Sequence, residues 1–575
     1  MIRHALDSKP QPLSRWRPVA LMCCFIGFAG ALLWRAVDLQ VLNRDFLLNQ
    51  GAARFLRDVE IPAHRGVIRD RNGEPLAIST PVDSVWADPS DLLLASRDKI
   101  ARLAQLLQLD AERLRADLRA RQDREFVYLR RRITPTLGQE VVDLRLPGVA
   151  LQREYRRFYP AGEVAGQLVG FTNVDDVGQE GVELAFNNWL RGEPGAKRVI
   201  KDRLGRVIED IERLREPKPG HALVLSVDRR LQYIAYRALK AAVRKHGARS
   251  GSLVLLDART GEVLAMVNQP AFNPNDRAEL IPSHYRNRAV TDAFEPGSSL
   301  KPFTIAAALD SGRFAPHSLV DTTPGVLRVA SDTVHDVRNY GVIDVMTVIE
   351  KSSNVGAAKI ALDLKPGTVW RMLGRVGFGR STGSGFPGEA GGYLSGRPPR
   401  YPIDRATLAF GYGVSATALQ LAQAYTAIAN DGRLLPVSLL RVNNAPAGQS
   451  VISARSARAV RSMMEQVVSS EGTAPKAAIP GYRIAGKTGT VKKSASGGYS
   501  DRRYAALFVG IAPASAPRFV CAVIINEPTG KPYYGGLVAA PIFRHVIEGA
   551  LRLRNVPPDG RLRQPALLAA GEMTP

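Results

Sequence analysis

Three short strings combine a hydroxyl, a cation and small residues in a way that suits acyl transfer: Ser298-Ser299-Leu300-Lys301, Ser352-Ser353-Asn354 and Lys487-Thr488-Gly489-Thr490. A serine hydroxyl is a poor nucleophile until a base takes its proton. Ser298 and Lys301 stand three apart, so on a helix they share one face. A lysine packed beneath a serine, its pKa lowered by burial and neighbouring cations, can be that base. Ser352 and Asn354 add a hydroxyl and an amide, suited to relaying a proton and holding a substrate amide. Ser353 would point away if that stretch is extended. Lys487, Thr488 and Thr490 offer a charge and hydroxyls for a terminal carboxylate, and Gly489 lets a substrate backbone lie close. S-x-x-K alone is common; the three strings in this order within one stretch are not.

These side chains need elements to hold them. Gly297 gives a flexible entry, after which Ser298 opens an apolar helical run over 303–309. Pro302 is tolerated there because first-turn amides have no intrahelical acceptor. The positive end of such a helix favours a developing oxyanion. Residues 482–491, around Lys487, read as a strand. Segments 252–256 and 262–267 flank a turn at 257–261 and predict a β-hairpin, with further strands at 504–510 and 519–526. Helical patterns occupy 230–245 and 540–554. Strands at both ends with helices between them predict one antiparallel sheet packed by helices, an α+β arrangement. Upstream, an alternating stretch (65–77) and a charge-rich helical one (91–121) form another α+β module over 50–217. The breaker at 217–220 marks the main boundary before a domain at 220–556, and the Pro- and Ala-rich 557–575 is a loose tail.

More strings join the first three. The N-terminal half has Arg65-Gly-Val-Ile-Arg-Asp70-Arg71-Asn72-Gly73, Arg157-Phe-Tyr159-Pro160, Gly170-Phe171, Gly181-Val-Glu183 and Asp202-Arg203 with Gly205-Arg206. Further on stand Phe294-Glu-Pro-Gly-Ser298, Gly411-Tyr412-Gly413 and Tyr533-Tyr534-Gly535-Gly536. With these, from about residue 15 to about 555, the chain resembles a class B penicillin-binding protein. It resembles the division type (FtsI, also called penicillin-binding protein 3) more than the elongation type. The resemblance implies a peptidoglycan D,D-transpeptidase that needs no cofactor and is acylated by β-lactams. Ser298 would attack the D-Ala–D-Ala carbonyl of a stem peptide, D-alanine would leave, and an amine from a second stem peptide would resolve the acyl-enzyme. Lys301 would be the base, although the wider superfamily divides on that assignment. Ser352 and Asn354 would relay and orient, and Lys487, Thr488, Gly489 and Thr490 would hold the carboxylate. Backbone amides of Ser298 and Thr490 would form the oxyanion hole. Tyr412 and Tyr533 would wall the cleft, with Ser299 among the substrate-binding residues. The chain departs from the pattern at Gln167, where the family often has His, and at Lys492, near where many relatives place Arg.

A chain of 575 residues predicts two or three domains. Its formal charge of +24 suggests an anionic neighbour, but no zinc spacing, helix-turn-helix or RNP motif accompanies it. An Arg-rich solvated surface beside an anionic membrane accounts for the charge, and no nucleic-acid partner is expected. Residues 18–34 carry no charge and span roughly 25 Å as a helix at ~1.5 Å per residue, which predicts an anchor over 18–37 with Arg35 snorkelling. Arg3, Lys9, Arg15 and Arg17 precede it against Asp7 alone, so positive-inside places 1–17 in the cytoplasm and the rest in the periplasm, on a bacterial inner membrane. The rival is a cleavable signal at Ala29-Gly30-Ala31, against which hydrophobicity continues through Trp34. Cys23, Cys24 and Cys521 read as packed small hydrophobes.

Gly379-Arg-Ser381-Thr-Gly383 matches the hydrolase elbow in letters, but a helical pattern precedes it where a strand is needed, so a turn is expected. The eight histidines show no metal-ligand spacing, and no metal site is expected. Rival functions are a β-lactamase or D,D-carboxypeptidase, which use the same acyl-enzyme, an elongation-type transpeptidase, and a β-lactam sensor or scaffold. Anchoring and the long leading module weigh against a hydrolase, and retention of all three strings weighs against a dead scaffold. No glycosyltransferase module is visible, so the resemblance implies an FtsW-type membrane glycosyltransferase and other division proteins as partners, with lipid II-derived nascent glycan as the shared material.

Overall fold

The computed structural model describes residues 16–44, 56–201, 207–276, 278, 280–495, 498–530 and 532–560. Most of the expected cytoplasmic segment 1–17, the Asp202-to-Arg206 string and most of the tail 557–575 lie outside the described residues. The charge-free run forms the helix Trp16–Val37, which continues as a π-helical turn over Asp38–Leu42. The apolar span Val19–Leu42 is 24 residues long and no part of it is buried in the protein; Phe25, Ile26, Leu33 and Trp34 all stand exposed. A helix apolar on every side with no protein cover is matched by a bilayer, so the chain is membrane-anchored. The span runs past the expected end at 37. Arg35 pairs with Asp38 at 2.7 Å.

The remaining chain forms two compact units. The first holds Pro81–Glu154 and Glu193–Lys218 with the described residues before His64. The helical stretch expected over 91–121 divides in three: Pro89–Leu92, Arg97–Leu106 and Ala111–Ala120. The carboxylates of Asp88 and Asp110 accept first-turn amides and set two of these starts. Val85, Leu92, Ile100, Leu103, Leu107 and Leu118 form the core. Strands Leu56–Ile61, Gly195–Lys201 and Val207–Arg215 make a separate antiparallel sheet.

The second unit holds His64–Thr80, Tyr155–Gly192 and the chain from Pro219 on. Two stretches of the expected N-terminal module therefore pack with the C-terminal half, on the far side of the breaker at 217–220. Gln167 donates to the carbonyls of Pro270 and His284, and Gln232 Nε2 to that of Val164, which ties the second stretch to the C-terminal half, while a buried charge cluster joins the two stretches to each other. Arg65 Nη2 lies 2.7 Å from Glu183 Oε2 and Arg157 Nε lies 2.6 Å from Glu183 Oε1, with all three side chains inaccessible. Ile68–Arg69 also pairs in parallel with Leu223–Val224.

The main sheet is antiparallel throughout, in the order Val263–Gln269, Ser250–Asp257, Phe519–Asn526, Gly498–Ala512, Ala485–Ala495. Ser250–Asp257 and Phe519–Asn526 are buried at nearly every position, because helices cover both faces. Arg229–Lys245 and Ala540–Leu553 pack on one face, and Ala418–Ala429, buried along its whole length, packs on the other. The strand carrying Lys487 is the last in the order and forms an edge of the sheet. The expected α+β arrangement is what the chain adopts.

Candidate active site

Ser298 lies in a 3₁₀ turn, Gly297–Leu300, and the α-helix proper begins at Lys301 and runs to Asp310. Two glycines make that turn possible. Gly411 has φ +88°, and a Cβ there would stand 2.2 Å from the Gly297 carbonyl oxygen. Gly297 has φ +53° and donates its N–H to the Gly411 carbonyl at 3.2 Å. Ser298 is half-buried, and its hydroxyl makes no side-chain hydrogen bond among the described residues. Ser299, expected at the substrate, is fully buried instead. Its hydroxyl donates to the Pro296 carbonyl at 2.7 Å, and its own carbonyl accepts from Tyr425 Oη at 2.7 Å. It braces the turn from within.

Lys301 is fully buried and donates from Nζ to the Ser352 carbonyl (2.5 Å), Asn354 Oδ1 (2.7 Å) and Ser352 Oγ (3.2 Å). Burial first, then the Lys487 charge, holds its ammonium well below the usual lysine range, against the opposing pull of Asp336. Lys487, also fully buried, donates to Ser352 Oγ at 2.8 Å, and burial brings its pKa down to about 7. One hydroxyl thus sits between two lysines.

The stretch holding Ser352 is not extended, which corrects the expectation for its neighbour. Ser352 takes φ +59°, a left-handed turn, and Ser353 becomes the N-cap of the helix Asn354–Asp363. The Ser353 hydroxyl accepts from the Gly356 amide at 2.8 Å and donates to Asp336 Oδ2 at 2.6 Å. Asp336 Oδ1 accepts from the amides of Asn354 and Val355. Asn354 is held further by donating from Nδ2 to the His335 carbonyl at 3.0 Å. Asp336 therefore positions the whole Ser352–Asn354 group. No pattern in the chain pointed to it, because it is distant from all three strings and carries no spacing signal.

On the edge strand, Lys487 pairs in register with Val509 and Thr490 with Ala506. Thr490 Oγ1 accepts from the Gly535 amide at 3.0 Å, which leaves its O–H free to donate. Thr488 Oγ1 lies 2.9 Å from Thr473 Oγ1, a partner that sequence reasoning missed. A Cβ on Gly489 would sit 3.1 Å from the Pro296 carbonyl, so the Ser298 turn and this strand meet closely. Tyr412 packs edge-on to Phe410 and Tyr499, and burial with the Glu295 carboxylate raises its phenol pKa. Glu295 Oε1 accepts from Tyr499 Oη at 3.0 Å and the Gly413 amide at 3.1 Å. Tyr533 stacks between Tyr504 and Tyr534, on the segment leading to Gly535.

Gln167 is buried away from these groups, donating to the carbonyls of Pro270 (2.8 Å) and His284 (2.5 Å). Lys492 is exposed on the edge strand opposite Tyr504. Ser381 lies in a loop between two left-handed glycines, Gly379 and Gly383, with no strand before it. Among the described residues no group of three His, Cys, Asp or Glu side chains could hold a metal ion.

The family model described as the penicillin-binding protein transpeptidase domain matches residues 251–548. The chain belongs to that family. A second model, the penicillin-binding protein dimerisation domain, matches residues 60–225. The chain is 44% identical over 552 residues to a probable peptidoglycan D,D-transpeptidase, PbpC, of Pseudomonas aeruginosa, covering 96% of this chain and 98% of that one. It is 42% identical over 548 residues to the peptidoglycan D,D-transpeptidase FtsI of Escherichia coli K12, covering 95% and 93%. Among solved structures, penicillin-binding protein 3 of Mycobacterium tuberculosis complexed with aztreonam aligns over 88% of this chain and 99% of that one, with TM-score 0.67 and 29% identity. The transpeptidase domain of Burkholderia pseudomallei penicillin-binding protein 3 aligns over 59% and 98%, with TM-score 0.54 and 45% identity. The resemblance read from the three strings and the motifs around them is borne out.

Proposed function

We propose that this chain is a serine D,D-transpeptidase that cross-links peptidoglycan stem peptides at the division septum and is acylated by β-lactams. The observation that carries the reading is the bracketing of Ser352 Oγ by two buried lysines, Lys301 at 3.2 Å and Lys487 at 2.8 Å, beside an unengaged Ser298. A neutral Lys301 has two N–H bonds, and the Ser352 carbonyl and Asn354 Oδ1 take both. Its lone pair is then left to accept the Ser298 proton. Ser298 Oγ adds to the carbonyl carbon of the penultimate D-alanine, and the amides of Ser298 and Thr490 receive the oxyanion. The proton passes from Lys301 through Ser352 to the leaving nitrogen, the C–N bond breaks, and D-alanine departs. An amine from a second stem peptide then adds to the ester, gives up its proton along the same path, and releases Ser298. Lys487, Thr488 and Thr490 hold the donor carboxylate, and Tyr412 and Tyr533 wall the cleft. Residues 50–217 serve as a pedestal. Residues 1–17 are cytoplasmic and the catalytic domain is periplasmic, as the basic flank of the anchor favours. Glycan polymerisation comes from an FtsW-type membrane partner.

Labelling with a fluorescent penicillin tests the site. A stable adduct on the wild type that Ser298→Ala lacks is expected. Rapid loss of label with steady drug turnover would make the protein a β-lactamase, and no label on either form would defeat the acyl-enzyme reading. Depletion in cells tests the septal role: filaments are expected, and rounding would point to the elongation type.

A further inference from the structure

Helices Arg229–Lys245 and Ala540–Leu553 pack against each other on the sheet, and a groove of about 680 Å³ runs between them on their outer side. Its floor is apolar, made by Ile234, Ala238, Ala241, Val538 and Ile542, with the exposed side chains of Tyr233 and Leu537 beside them. Its rim is basic: Arg237, Lys245, His246, Lys476 and His545 line it, and no carboxylate does. Arg237, Lys245 and Lys476 have no ion-pair partner among the described residues. His246 reports the same field, since burial and then the charges of Lys245 and Lys476 hold its imidazole below the usual range.

Like charges gathered around a low-dielectric floor repel one another, and an anionic occupant would relieve that repulsion while covering the apolar surface. We infer that this groove docks an acidic amphipathic helix of a partner protein. The helix's apolar face lies on Ile234, Ala238 and Ile542, and its carboxylates meet Arg237, Lys245 and Lys476. A nucleic acid would use the cations and leave the floor uncovered, and a bilayer surface would not enter a furrow between two helices. Val538 and Leu537 place the occupant on the short helix that starts at Gly535, whose amide holds Thr490 Oγ1 at 3.0 Å.

The test uses the full chain in phosphatidylcholine nanodiscs and a fluorescein-labelled synthetic helix of about 18 residues with Glu on one face and Leu on the other. Anisotropy titration is expected to show saturable binding, weakened about tenfold or more by shuffling the peptide at constant composition and by the double change Arg237→Glu with Lys245→Glu. Ala241→Glu, which puts a carboxylate on the floor, is expected to weaken it similarly, and unchanged melting temperatures would show that these surface variants fold. Absent binding, equal binding of the shuffled peptide, or equal binding by the variants would overturn the proposal. So would preferential binding of phosphatidylglycerol vesicles that the same substitutions abolish, which would identify a lipid surface. None of these readouts passes through Ser298, so they stand or fall apart from the acyl-transfer reading.

Discussion

At the scale of single residues, the site depends on lysines that burial has made easy to deprotonate. In the proposed mechanism Lys301 must be neutral to accept a proton, and Lys487 must be charged to hold a carboxylate. Lys487 titrates at about 7 in the free protein. The second-order rate of acylation by benzylpenicillin reports the free enzyme. It should rise with pH as Lys301 loses its proton and fall above about pH 7 as Lys487 loses its own. Lys487→Arg, which stays cationic, should lack the falling limb; a falling limb unchanged in that variant would place its origin elsewhere. Asp336 makes a second case. Its carboxylate raises the Lys301 pKa and caps the helix Asn354–Asp363. Asp336→Asn should move the rising limb to lower pH and cost about 1 kcal/mol of stability in a urea melt, as lost caps do. A limb that stays in place would show that Asp336 acts through geometry alone.

At the scale of elements, glycines let the Ser298 turn and the helix at Gly535 come close to the edge strand. A Cβ on Gly535 would stand 2.1 Å from the Leu507 carbonyl oxygen and 2.5 Å from that of Gly489. Gly535→Ala must therefore push the helix Gly535–Val538 off the strand and break its amide bond to Thr490. Acylation should slow about tenfold or more, the worth of one hydrogen bond. Stopped-flow labelling at the wild-type rate would show that Thr490 needs no such support. The elements themselves were largely legible. The strands of the main sheet and its flanking helices announce themselves by short apolar runs bounded by turns and by helical periodicity. The 3₁₀ turn at Ser298 and the left-handed Ser352 were not, because a non-glycine residue in a left-handed turn leaves no periodic trace. That omission is what turned Ser353 from an expected bystander into a cap.

At the scale of the whole molecule, two stretches of the leading module belong to the C-terminal unit, and Arg65, Arg157 and Glu183 join those two stretches to each other. Removing one partner of a buried charge group leaves the others uncompensated. Glu183→Gln should cost about 3–5 kcal/mol in thermal or urea unfolding of the unit that carries Ser298. A loss under about 1 kcal/mol would mean that the other acceptors of Arg65, the Asp176 carbonyl and Asn187 Oδ1, suffice.

The chain alone determined the three strings, the anchor and the α+β class, because each is written in residue types and spacings within a few dozen positions. Only the tertiary structure decided which hydroxyls face the cleft, how far the lysine pKa values fall, and where one unit ends. Those properties come from burial and from contacts between residues far apart in the chain: Lys487 reaches Ser352, Asp336 caps Asn354, and Glu183 joins Arg65. Local pattern carries no record of such distances. The Ser299 hydroxyl shows the difference most plainly, one residue from Ser298 in the chain and turned wholly into the core.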